Sequence, residues 1–560
     1  MEKMRGSVDI DHQRFIRIRI INVLTLNAEN IAYYYAKTYG YIQNMKFIFL
    51  GGAGEVGASC LLISVADRNI LIDCGVRVNQ NGKAALPDLE TLQASVPTLD
   101  AIFVSHAHAD HVGTLPLAHQ RFPDAPIYAT LPTRQLSTVM LSDAVRVMNA
   151  QDEQLFTQQA VEKTLAAIKT LQINQWIELW QGWRVKLIAS GHILGAVCIV
   201  LETPEETLLF SGDVSNFNQR TIEGIGEVSG IQPDFMWCEA TYGDGNHPAR
   251  ANEEMKLTEA VSDVVKTGGI VLIPSFALGR AQEIILILKD AMRSGRIEPF
   301  PVLVDGLVSA ICAVYESLPE YLSPKVRNWI ENSRQSVFFS DTVRTVRYGE
   351  REALLKDTTP KCIIASSGML TGGASVEYAK ALASGRDNAI FLSGYQDAES
   401  PGRRLQALQQ GDELTFADGA SVTVKCRVQR FHLSAHSDQG QLISMIKQAS
   451  PKAIALMHGE REAIQALRSK LYKQFPVIYP VNGTIQDGTD FPHWLPPAVK
   501  TRMEKNSKIE IKGEFTDSGI KLDEETLQSQ RWLEFCQGTH LWRLEGNRLI
   551  VSKHPAQISK

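Results

Sequence analysis

Eight cysteines are scattered singly through 560 residues, and no two form a CxxC pair. That spacing supplies neither a disulfide framework nor a thiolate zinc site. Apolar settings such as GAVCIVLE and KCIIAS point instead to buried free thiols. The chain also lacks any run near the roughly 18 uninterrupted apolar residues that a bilayer-crossing helix needs, so no membrane partner is expected. Repeats and low-complexity tracts are absent, and so is an excess of one charge: 57 Lys+Arg stand against 62 Asp+Glu, a net charge of −5. This excludes a surface basic all over and leaves a local basic groove as the route to nucleic acid. Residues 15–24, FIRIRIINVL, are broken by Arg17 and Arg19 and precede no small-residue cleavage site, so export is not expected and the expected compartment is the cytoplasm.

What is present is enough chain for three or four domains at roughly 150 residues each. At Met45 the text changes to MKFIFLGGAGEVGASCLLISV, a strand, a Gly turn and another strand. The fold is therefore expected to begin there, with residues 1–44 as an appendage. GAGEVG at 52–57 matches a dinucleotide fingerprint, but that motif requires a helix to open at its last glycine. ASCLLISV follows, short, apolar and β-branched, and then NILIDCG. The segment reads as a hairpin-rich start to a sheet.

The chemistry gathers at IFVSHAHADHVGT. His106, His108, Asp110 and His111 lie within six residues after an apolar strand, and buried His and Asp need partners. In an extended segment residues i and i+2 point the same way, so His106 and His108 can grip one metal while Asp110 and His111, at the turn beyond, face a second. His192 in ASGHILGA and Asp213 in LLFSGDVS stand at further strand ends. His119 and His432 read as structural histidines, and His12, His247, His493, His540 and His554 have no evident partner.

LIDCG, HAHADH, GHILGA and SGDVS, in this order, resemble the signature of the metallo-β-lactamase-fold hydrolases. Glu239 in WCEATYGD, His436 in FHLSAHSD and His458 in LMHGE resemble three further motifs of the β-CASP branch, which processes nucleic acids. PSFALGRAQEI, ASSGMLTGGASVEYAK and FLSGYQDAESPGRRL resemble the group containing the cleavage and polyadenylation endonuclease and its ribonuclease J-like prokaryotic relatives. The resemblance covers about residues 45–490.

It implies an α/β fold, an αββα sandwich with an inserted parallel α/β β-CASP domain and a small C-terminal module. It further implies one metal on His106, His108 and His192, another on Asp110, His111 and His458, and Asp213 bridging them. N/O ligands without thiolate suit two zinc ions per chain, with manganese as an alternative. Asp73 in LIDCG would orient the ligands. His436 would be the general acid, held protonated by Glu239, and Asp110 is grouped with them as catalytic.

Between Asp213 and His436 the chain is too long for a loop. GGIVLIPSFA, FPVLVDG, PKCIIAS and NAIFLSGYQ alternate with helical patterns, which indicates a parallel α/β sheet capping the metals. The expected division is 1–44 appendage, 45–243 and 431–495 metallo-β-lactamase domain, 244–430 β-CASP domain and 496–560 accessory module. The module carries strand patterns near KIEIKG, HLWRLE and RLIVSK and is suited to dimerisation or RNA. In the cap, Ser366, Ser367 and Gly368 of a strand-to-helix turn, with Arg280, Arg403 and Arg404, are candidate phosphate contacts. The expected activity is a two-metal ribonuclease acting on single-stranded RNA, endonucleolytically or from the 5′ end, and a homodimer is an expected assembly. A thioester or lactone hydrolase of the same fold and a non-catalytic RNA scaffold are the alternatives.

Overall fold

The computed structural model describes residues 45–488 and, outside them, only short strands. The chain forms two compact units, Met1–Gly40 with Leu495–Lys560, and Tyr41–Trp494. In the first, Ile10–Asp11, Phe15–Ile16, His540–Glu545 and Arg548–Lys553 make a four-stranded antiparallel sheet. Gly513–Thr516 and Gly519–Leu522 form a separate hairpin. HLWRLE and RLIVSK are thus strands, while most of KIEIKG and the Pro-rich FPHWLPPAVK lie outside the described residues. Residues 10–16, read from sequence as part of an appendage, contribute two strands paired beside those from the C-terminal stretch.

The second unit opens with two seven-stranded sheets. One runs in the order Ile485–Asp487, Met45–Gly51, Cys60–Val65, Arg68–Ile72, Ala101–Phe103, Ile127–Ala129, Ile168–Thr170. Its first four strands are antiparallel and the rest parallel. The other runs Val477–Ile478, Ala453–Met457, Phe235–Glu239, Thr207–Phe210, Val197–Glu202, Trp183–Ala189, Trp176–Trp180. Alternation explains the facing: along Trp183–Ala189, Trp183, Val185 and Leu187 are buried while Arg184 is exposed. Phe47 from one sheet meets Phe235 and Trp237 from the other with ring centroids 5.4 Å apart in each case, which ties the two inner faces together. Helices including Leu115–Arg121 and Leu131–Gln151 cover the first sheet, and Gln439–Ala449 and Arg461–Leu471 cover the second. The result is an αββα sandwich.

Past Glu239 the chain departs into a six-stranded sheet, parallel throughout, in the order Val343–Thr345, Val302–Asp305, Lys361–Ala365, Ile270–Pro274, Ala389–Leu392, Arg427–Arg430. Arg250–Lys266, Arg280–Arg293 and Val308–Glu316 pack on one face, and Ala374–Leu382 and Pro401–Ala407 on the other. The four central strands are those the apolar runs announce. The edge strands Val343–Thr345 and Arg427–Arg430 are half polar and carry no such signal. The chain then rejoins the second sandwich sheet at Ala453–Met457, parallel to and beside the strand it left, Phe235–Glu239. All seven cysteines among the described residues are free and buried. Among these residues no helix is long and apolar enough to cross a membrane.

Candidate metal centre

The centre is assembled where strand ends of both sandwich sheets meet the carboxyl ends of the inserted sheet, the usual position for a ligand crevice in α/β folds. After Ala101–Phe103 the chain leaves the strand and reaches His108, whose backbone is extended and which precedes the short helix Ala109–Val112. Its carbonyls are fixed from below: Ser59 N donates to Asp110 O at 2.9 Å, Cys74 N to His111 O at 2.8 Å and Val76 N to Ala109 O at 3.0 Å. Gly75 lies between these bonds, and a methyl there would sit 1.7 Å from the Asp110 carbonyl oxygen. Only glycine fits that crossing.

Two clusters of side-chain donors converge. In the first, His106 Nε2 and His192 Nε2 lie 3.2 and 3.0 Å from His108 Nδ1. In the second, His458 Nε2 lies 3.3 Å from both His111 Nε2 and Asp110 Oδ2. Asp213 stands between them, its Oδ2 3.6 Å from His106 and from His192 and 3.4 Å from His111. Its Oδ1, 3.1 Å from His458 Nδ1, is buried without a hydrogen bond.

The outward ring nitrogens are engaged elsewhere. His111 Nδ1 donates to Asp73 at 2.8 Å, His192 Nδ1 to the Ala435 carbonyl at 3.1 Å and His108 Nε2 to the Leu278 carbonyl at 3.2 Å. Those bonds fix the tautomers and aim the remaining lone pairs inward. Lone pairs crowded at such distances, with an orphaned carboxylate oxygen among them, fit divalent cations and little else. Charge follows the same pattern. Burial and neighbouring imidazoles hold His106 and His192 well below the usual histidine range, as neutral ligands require. Asp213 is held well below the carboxylate range despite its burial, by His458 and His111.

Asp73, at the end of Arg68–Ile72, adopts a left-handed φ of 58°. Its carboxylate accepts from Ser105 N and Ser105 Oγ at 2.7 Å each as well as from His111. It touches ligands without joining either cluster.

A third group adjoins the two clusters. His436 Nδ1 lies 3.0 and 3.2 Å from the two oxygens of fully buried Glu239, which also accepts from Val214 N at 2.8 Å and Thr241 N at 3.2 Å. Burial works against a charge on His436, but Glu239, with Asp213 and Asp110 behind it, pushes it up to about 8. Its ring is 4.5 Å from that of His192.

Of the candidate phosphate contacts, Arg280 lines the cavity of about 160 Å³ that also exposes Asp110, His436 and His458. Ser367 Oγ is 3.0 Å from Thr371 Oγ1, the Ser366 and Ser367 carbonyls accept from Ser375, and the Gly368 carbonyl accepts from Gln396. Of that turn it is Met369 that lines the cavity. Arg403 and Arg404 are exposed, and Arg404 donates to the Glu399 and Thr415 carbonyls. His119, read as structural, pairs with Thr164 at 3.1 Å. Some contributors escape sequence reasoning. Gln219 Nε2 clamps the Gly191 and His192 carbonyls at 2.8 Å each, and His247, without an evident partner in sequence, lies 3.2 Å from the His436 carbonyl.

Three family models match in succession: a metallo-β-lactamase superfamily domain at residues 62–232, a β-CASP domain at 281–405 and a Zn-dependent metallo-hydrolase RNA specificity domain at 421–480. The chain is 34% identical over 428 residues to a transcription termination factor FttA of Methanocaldococcus jannaschii, covering 74% of this chain and 67% of that protein. To the FttA of Methanothermobacter thermautotrophicus it is 32% identical over 442 residues, covering 76% and 69%. An RNase J-like protein of M. jannaschii is 31% identical over 451 residues, covering 78% of this chain and 98% of its own. The chain belongs to the β-CASP family of metal-dependent RNA nucleases. As a β-CASP nuclease it carries clustered His and Asp residues able to coordinate a two-metal centre, with His436 and Glu239 alongside.

Proposed function

We propose that this β-CASP nuclease hydrolyses phosphodiester bonds of single-stranded RNA to leave 5′-phosphate and 3′-hydroxyl ends. In this reading His106, His108 and His192 hold one zinc ion, and Asp110, His111 and His458 the other, with Asp213 shared. The all-N/O donor set suits zinc and also accommodates manganese. When bound, the two ions supply a nucleophilic water at neutral pH and neutralise charge on the attacked phosphate. The leaving sugar oxygen needs a proton, and an acid poised near the working pH delivers it best. His436 is that acid: Nδ1–H is held by Glu239, leaving Nε2–H for the leaving oxygen, and buried Glu239 is itself fixed by two backbone amide donors. Asp73 keeps His111 in its ligating orientation.

The His436–Glu239 pair packed against the two converging donor clusters is the observation that carries this reading. The RNase J-like relative, matched over nearly its whole length, is the better guide to the activity of the whole chain. The decisive assay incubates zinc-loaded protein with end-labelled RNA bearing a 5′-hydroxyl, monophosphate or triphosphate, and with a circular RNA. Cleavage of the circle establishes endonucleolysis, and mononucleotides released from monophosphate ends establish 5′-exonucleolysis. If every RNA survives while the metals are bound, the reading fails.

A further inference from the structure

The cleft holds one cation for which the metal chemistry has no use. Arg280 opens the 14-residue helix Arg280–Arg293, and the preceding Gly279 has a φ of 89°, a turn that suits glycine. One residue before that glycine, the Leu278 carbonyl props His108, so the helix begins against the metal-binding residues. A helix N-terminus favours an anion.

Arg280 is only 5% exposed, yet its Nη1 is buried without a hydrogen-bond partner. A charged donor left unpaired in the interior is costly. The obvious protein anion is already committed. Glu283 accepts from Arg250 at 2.9 Å, from Arg220 N at 2.8 Å and from Thr221 N and Oγ1 at 2.7 and 2.6 Å. Burial and the repulsion of Arg250 lower Arg280 to about 10, which leaves it charged at neutral pH. Arg430, which like Arg280 acts on the Tyr242 phenol, also has a buried Nε without a partner. Arg280 lines the cavity shared by Asp110, His436 and His458.

We propose that the Arg280 guanidinium binds a non-bridging oxygen of the reacting RNA phosphate. The proposal rests on the ribonuclease reading above and assigns the phosphate a ligand on the inserted domain. The guanidinium already sits in the cavity wall before substrate arrives, where it stabilises charge that grows on the phosphate.

The test compares wild type, Arg280→Ala and Arg280→Lys for kcat and KM on RNA, metal content, and binding of an uncleavable 2′-O-methyl RNA. Arg280→Ala should lose about 10²-fold in kcat, keep two metals per chain, and recover part of its rate when guanidinium is added at millimolar concentration. His436→Ala should show no such recovery. Arg280→Lys, with the charge but not the fork, should fall between. If Arg280→Ala does not fold, the lysine variant decides: full wild-type kcat in Arg280→Lys overturns the proposal. Unchanged kcat in a folded Arg280→Ala, or a loss that tracks metal depletion and that guanidinium does not restore, also overturns it. Wild type is assayed first, because failure of wild type to cleave RNA sinks the ribonuclease reading, whereas cleavage indifferent to position 280 sinks only this one.

Discussion

At His436 burial and electrostatics pull in opposite directions, and Glu239 decides the outcome. In the proposed mechanism, replacing His436 by alanine removes the proton donor but no metal ligand. The expected result is two metals per chain by elemental analysis and turnover reduced by about 10²–10⁴-fold; a variant that cleaves RNA at the wild-type rate would place the acid elsewhere. Glu206 is the opposite case, a carboxylate 5% exposed whose two oxygens have no partner. Burial, then Asp234 and Glu205, raise it to about 8 against the pull of Lys452. The folded state thus retains a proton that the unfolded chain has released, so stability falls as pH rises from the unfolded value of 4.5 to about 8 and stays low above it. Glu206→Gln should raise the melting temperature at pH 9 and leave it unchanged at pH 4, and an equal shift at both would refute the assignment.

Among elements, the crossing of the 73–76 loop with the 109–111 turn sets the precision of the site. Gly75→Ala forces a methyl into the Asp110 carbonyl, so the two loops must separate and Asp110 and His111 move with them. Loss of at least one metal per chain and a lower melting temperature are expected; full metal content would show that the crossing is more pliant than its geometry implies. The sequence discloses the parts of this assembly unequally. HAHADH is legible because four side chains able to bind metal fall within one short stretch and the spacing itself assigns His106 and His108 a shared direction. The strands of the inserted sheet are legible where apolar runs mark burial on both faces, as in IVLIP and KCIIA. Val343–Thr345 and Arg427–Arg430 are not, because an edge strand needs one apolar face at most. The supports of His108 and His192 are carbonyls of Leu278 and Ala435, and no residue type advertises where its backbone oxygen will point. Gln219 is silent for a related reason, since its role exists only once the loop before it has closed over Gly191.

Across the whole molecule, the inserted domain covers the donor clusters and is joined to the sandwich by hydrogen bonds. Tyr395 donates to Glu460 at 2.8 Å and Asn79 to Asp397 at 3.0 Å, each joining the insertion to the sandwich. The clustered donors beneath are largely buried, and Tyr395 and Asp397 line the cavity that reaches them. Tyr395→Phe removes the hydrogen bond and keeps the ring. It should speed stripping of the metals by a chelator several-fold without changing the metal content before the chelator is added, and an unchanged stripping rate would locate the exit path elsewhere.

The departure and return of the chain around the insertion also order events in time. His111 and His458 meet at 3.3 Å across 347 residues of sequence, which a ribosome takes about 17–70 s to traverse at roughly 5–20 residues per second. Through that interval the nascent chain already carries His106, His108, Asp110 and His111, yet the strand that delivers His458 has not been made. A chain abandoned in mid-synthesis is therefore a chelating peptide without a finished cleft. Until the strand that leads to His458 has been made, the second donor cluster stays incomplete.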